Sequence, residues 1–146
     1  MTKLYKTKIN RRLAKIIESM GLRLEFSEEY PEKGNPNAQK ALACFWAAES
    51  MIWVKKTTPY ESHVMNCIIS HEIGHACSYI LGGSNDDEYE EVRANGFMYA
   101  FAYMMKIPVD ERMFPEILDE KVRKVFDNRR AGKDQKMIPP GDIEFF

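Results

Sequence analysis

The chain has 146 residues, with 22 acidic and 21 basic side chains and a formal net charge of −1. That length suits one domain, and an apolar fraction of 45% argues against wholesale disorder. The charge balance supplies no overall field to draw the chain onto nucleic acid or an anionic membrane. The longest apolar run, residues 97–105, is nine residues, against about 18 or more for a membrane helix. Basic residues from Lys3 to Lys15 interrupt every stretch where a signal peptide's apolar segment would lie. Three cysteines, Cys44, Cys67 and Cys77, are too few and too irregular for a disulfide framework or a Cys-rich zinc site. Cys67 and Cys77 would sit on one helix about 15 Å apart. A soluble, cytoplasmic protein with reduced thiols is expected.

In chain order, Ile9, Leu13, Ile16, Ile17 and Met20 carry helical spacing over 8–20, and Gly21 follows as a stop. Leu22, Leu24 and Phe26 alternate with polar residues, as in a half-buried strand. Pro31, Gly34 and Pro36 mark a loop over 30–37. Residues 41–47 and 51–56, parted by Glu49-Ser50, predict a hairpin. A long helix should follow Pro59, from about 60 to 81, with Gly82-Gly83 ending it.

Ser84 and Asn85 are N-cap types for the next helix, with Asp86, Asp87, Glu88, Glu90 and Glu91 crowding its first turns, where the helix dipole favours acids. That helix should run to about 106, before Pro108. A third, more polar helix is expected over 115–130, then an irregular tail from Ala131. The sum is a small α+β domain: an N-terminal helix, a short and mostly antiparallel sheet, then packed helices.

The long helix carries His71-Glu72-Ile73-Gly74-His75, an H-E-x-x-H motif. Residues four apart stack on one helix face, so both imidazoles can grip one metal ion. Glu72, rotated about 100° from His71, can reach water beside the metal as a base. With three His and fifteen Glu in the chain, shuffling would produce the motif about 0.4% of the time. Val64, Ile68, His71 and His75 follow steps of four, three and four, placing the histidines on an inward stripe where imidazoles need partners.

A catalytic zinc takes a third protein ligand and keeps its fourth position for water. No histidine follows His75, so a carboxylate from the next helix is required. The stripe Glu91, Ala94, Met98, Phe101, Met105 puts Glu91 at the head of a core-facing row, with Glu88 in reserve one turn earlier. Asp86, Asp87 and Glu90 suit a solvated helix start. Asn95, one turn after Glu91, could hold a ligating imidazole by its other nitrogen or orient the carboxylate. His63 lies about 12 Å before His71 along the helix and suits an ordinary surface role. Cys67 suits core filling. Tyr89, Tyr99, Tyr103 and His63 are the available oxyanion helpers.

The H-E-x-x-H motif, followed by Glu91-Val92-Arg93-Ala94-Asn95-Gly96-Phe97 and then by Met104-Met105-Lys106-Ile107-Pro108, resembles the ImmA/IrrE-like zinc metallopeptidases. Their gluzincin-type signature is H-E-x-x-H, then E-x-x-A-N-x-F-A, then an apolar run ending in a Met/Pro segment. The resemblance covers about residues 41–110, and Met98 departs from the small residue usual after the Phe. It implies one zincin-like metallopeptidase domain over 1–146, with zinc held by His71, His75 and Glu91 and Glu72 as general base and acid. It also implies a protein substrate, of the helix-turn-helix repressor class that family members cleave.

The alternative reading is a catalytically inactive zinc-binding regulator or anti-repressor that works by docking a partner. Six basic residues before Glu18 form a local patch, but a solvated helix face accounts for them better than nucleic-acid binding does.

Overall fold

The computed structural model of the protein describes residues 2–31, 41–84, 87 and 89–107. All of these lie in one compact unit, Met1–Glu116; a second unit, Ile117–Phe146, lies outside the described residues. With it go the third helix expected at 115–130 and the tail. The loop expected over 30–37 is also outside them beyond Pro31.

The chain begins with β1 (Tyr5–Lys6) and α1 (Arg11–Ser19). The helix starts three residues later than its apolar spacing suggests, because the Asn10 side chain accepts from the Arg12 and Leu13 backbone N–H groups and caps it there. Asn66, from the later helix α2 (Ser62–Ile80), fixes this junction: it accepts from Asn10 N–H (2.7 Å) and donates to the Lys8 carbonyl (3.0 Å). Leu13 and Ile17 turn into the core, and Gly21 closes the helix.

The sheet has β2 (Arg23–Ser27), β3 (Ala43–Trp46) and β4 (Met51–Lys55) in the order β2-β4-β3. The expected hairpin is present: β3 and β4 pair antiparallel through a 3-10 turn at Ala47–Glu49, with Ser50 in the left-handed region. β2 pairs parallel to β4, so the sheet is mixed. A two-residue bridge joins β1 to β5 (Thr57–Thr58), antiparallel. The alternation in β2 breaks at Phe26, which is exposed; among the described residues β2 lies at an edge of the sheet. Central β4 is buried nearly throughout, as its run Met51-Ile52-Trp53-Val54 requires.

Helix α2 lies against this sheet, and its sealed seam is Met65, Ile69, Ile73 and Ala76. Gly82, with φ +89°, supplies the left-handed residue that ends it. Helix α3 (Glu90–Met104) packs against α2 through Ala94, Met98 and Phe101. It begins well past Ser84, and Tyr89 rather than Ser84 or Asn85 occupies the N-cap position. Asp87 organises the approach instead: its carboxylate accepts from Tyr89 N–H and its carbonyl from Glu90 N–H. Together these helices and strands form a mixed α+β fold.

At Gly74 the two helices leave no room for a side chain. A Cβ there would lie 2.8 Å from Ala94 Cα and 3.0 Å from the Ala94 carbonyl oxygen, both backbone atoms that cannot swing aside. Gly74→Ala should therefore push α3 away and cost about 1–3 kcal/mol, read as a lower thermal midpoint by circular dichroism. Gly96→Ala, where an added Cβ meets nothing within 4 Å, should instead gain up to about 1 kcal/mol from helix propensity. An unchanged midpoint for Gly74→Ala would contradict the close approach.

Candidate metal centre

The contact between α2 and α3 brings His71, His75 and Glu91 together. His71 Nε2 and His75 Nε2 are 3.0 Å apart. Glu91 Oε2 lies 3.1 Å from His71 Nε2, and Glu91 Oε1 lies 3.0 Å from His75 Nε2. Tetrahedral zinc, with bonds of about 2.0–2.1 Å, would space its donors roughly 3.3 Å apart. The three edges fall short of that by only about 0.2–0.3 Å, so small side-chain rotations open the triangle for an ion. Both Nδ1 atoms are buried without a hydrogen bond among the described residues. Imidazoles presenting Nε2 to a cation carry their proton on Nδ1, so the donor set fits zinc while leaving those protons in need of acceptors.

Glu72 sits one residue past His71, half-buried, with its Oε2 accepting from the Phe45 backbone N–H of β3 (2.9 Å). Burial raises its pKa; the charges of His71 and His75 and the Phe45 N–H oppose that rise. A carboxylate shifted upward by burial is better matched to accepting a proton near neutrality. Hydrogen bonds from His71 and His75 hold the Glu91 pKa far below the carboxylate range. Burial opposes protonation of His75, but its bond to Glu91 and the nearby charges of Glu72, Glu91 and Glu90 prevail and raise its pKa.

The position of Glu91 differs from expectation. Its side chain is 52% exposed, at the rim of the triangle rather than inside the core row. Glu90, expected to be solvated, is the buried member of the pair, with its side chain 5% exposed. Because α3 begins at Glu90, the row facing α2 runs Glu90, Ala94, Met98, Phe101. That step of four from Ala94 back to Glu90 was as legible in the sequence as the step of three to Glu91. Glu88, the reserve ligand, lies outside the described residues, as do Asn85 and Asp86. Asp87 is exposed and paired with Arg93, as a solvated helix start would be.

Asn95 is buried, but it does not hold either histidine by its second nitrogen, since neither Nδ1 has a hydrogen-bond partner among the described residues. Four residues before Ala94, the buried place nearest His75 Nδ1 goes to Glu90 instead. His63 is half exposed and bonded to Glu61. Cys67 is buried, and desolvation pushes its thiol up to about 11, as core filling implies. Tyr103 points to solvent.

A cavity of about 570 Å³ opens beside the triangle, bounded by Phe45, Trp46, His75, Tyr79 and Glu90. Tyr79 is the phenol on its wall, and its ring meets Phe45 edge-on at 5.8 Å. The sequence signal for Tyr79 was its spacing, one turn after His75 on the same face.

The triangle makes metal and proton compete. Without metal, the raised His75 pKa contributes stability that is complete below its ordinary value near 6.5 and is lost as pH rises through the folded value. The lowered Glu91 pKa contributes stability above the ordinary 4.5, lost only as pH falls through its low folded value. Zinc needs His75 deprotonated. Between about pH 5 and 8, the thermal midpoint with excess zinc should therefore climb relative to the midpoint with chelator as pH rises. Parallel curves would contradict the shared site.

Comparison of the chain with protein-family models, with curated proteins and with solved structures found no match.

Proposed function

We propose that the protein is a zinc-dependent endopeptidase of the ImmA/IrrE-like kind, acting in the cytoplasm on a regulatory protein of the helix-turn-helix repressor class. The observation that carries this reading is the closed His71–His75–Glu91 triangle with the half-buried Glu72 carboxylate, held by the Phe45 N–H, beside it. The substrate class rests on the motif resemblance. Three cysteines, none in a disulfide among the described residues, suit a reducing compartment, and no helix among the described residues is long and apolar enough to cross a membrane.

His71, His75 and Glu91 would hold the ion. When bound, zinc would acidify water and polarise the scissile carbonyl. Glu72 takes the proton of the attacking water on its carboxylate and returns it to the departing amine. The Phe45 N–H fixes that carboxylate so it need not reorganise between the two transfers. Among the described residues β3 pairs with β4 alone, so its other edge is available to an extended peptide running past Glu72. Phe45, Trp46 and Tyr79 offer an apolar wall for a substrate side chain, and Tyr79 brings a hydroxyl for the developing oxyanion.

Purified protein incubated with zinc and candidate repressors should cleave one of them, read by mass spectrometry. Glu72→Gln should keep about one zinc per chain and lose about 10²–10⁴ of the rate, the ordinary contribution of a general base. Undiminished cleavage by Glu72→Gln would contradict the mechanism. Tight binding of a repressor with no cleavage by the wild type would favour the non-catalytic regulator.

A further inference from the structure

Glu90 opens α3 one residue before Glu91, and its Oε2 is sealed from water without a hydrogen bond among the described residues. A carboxylate oxygen buried without a donor is costly, so its surroundings should answer for it. Two donors approach, each at 3.9 Å: Arg93 Nη2 and His75 Nδ1. Arg93 is half exposed and already engaged by Asp87 at 2.6 Å. His75 Nδ1 is itself sealed and has no hydrogen-bond partner among the described residues. Two orphaned polar atoms of opposite hydrogen-bonding character thus face each other inside the protein, about 1 Å beyond bonding distance.

We propose that Glu90 is a positioning residue for the metal centre: its carboxylate accepts the His75 Nδ1–H and thereby holds His75 with Nε2 turned to the ion. This rests on the metal-centre reading above. The arrangement follows from the helix itself. Consecutive residues at the start of α3 are rotated by about 100°, so Glu91 reaches the Nε2 side of His75 (3.0 Å) while Glu90 faces its Nδ1 side. One helical turn then supplies both a ligand and the anchor that selects the neighbouring ligand's tautomer. A buried carboxylate behind a ligating imidazole also makes the ring a better donor to the cation.

The test uses the full chain, stripped with chelator and titrated with zinc against a chelating dye, together with long-range ¹H–¹⁵N spectra of the imidazoles in the zinc-loaded protein. The wild type should show a slowly exchanging His75 Nδ1–H. Glu90→Ala should weaken zinc binding about 10–100-fold and abolish protection of that proton while leaving the His71 ring signals in place. Glu90→Gln keeps an acceptor oxygen, so it should retain the Nδ1–H signal and lose less affinity. A purely structural role for Glu90 would not move one ring proton selectively.

If Glu90→Ala fails to fold, the wild-type spectrum still decides, because a His75 Nδ1 proton exchanging as fast as solvent overturns the proposal. So do zinc affinity and ring signals unchanged in Glu90→Ala. A wild type that binds no zinc overturns the metal-centre reading itself, and this proposal with it.

Discussion

The closeness of α3 to α2 beside Gly74 governs everything at the site. Ala94 backbone stands where a side chain at position 74 would go, so only glycine fits there. From that distance a glutamate at the start of α3 spans to both imidazoles at about 3 Å. The rest of the contact is apolar. Ile73, Ala94 and Met98 are almost completely buried, each large side chain among them contributing roughly 1.5–3 kcal/mol. That apolar contact offsets the cost of holding polar groups together at one end of the helix pair.

The electrostatics at that end are unbalanced in a telling direction. Glu72, Glu90 and Glu91 converge on two imidazoles that are neutral when acting as ligands. Among the described residues the nearest fixed cation is Arg93, 3.9 Å from Glu90 and paired with Asp87. The carboxylates around His75 favour its protonated form, while hydrogen bonds from His71 and His75 favour the ionised form of Glu91. A divalent cation would offset the negative charge of these carboxylates more fully, and Glu72, half-buried, stands beside it as a base. This charge imbalance lies beside an edge of β3 that pairs with no strand among the described residues and gives its Phe45 N–H to Glu72.

Much of this was legible in the chain because it is local. Glu49-Ser50 between two short β-prone runs marked the hairpin, and the four-residue spacing of His71 and His75 marked a shared face of α2. Glu91 was reachable by periodicity, though its half-exposed placement was not. What escaped depends on where elements begin and what they meet. The Asp87 turn sets α3 to start at Glu90, which turns that residue inward; a reading that began the helix at Ser84 left it in solvent. Asn95 had the right spacing for the histidines, but the space behind His75 belongs to Glu90. The parallel pairing of β2 and the bond from Phe45 to Glu72 join residues far apart in sequence, and no local pattern announces either.

The central claim is that one divalent ion is held by two imidazoles and one carboxylate. Zinc-edge X-ray absorption on the zinc-loaded protein tests it most directly. The account predicts two imidazole nitrogens and light oxygen neighbours at about 2.0–2.1 Å. A sulfur neighbour at about 2.3 Å, or no imidazole scattering at all, would contradict it.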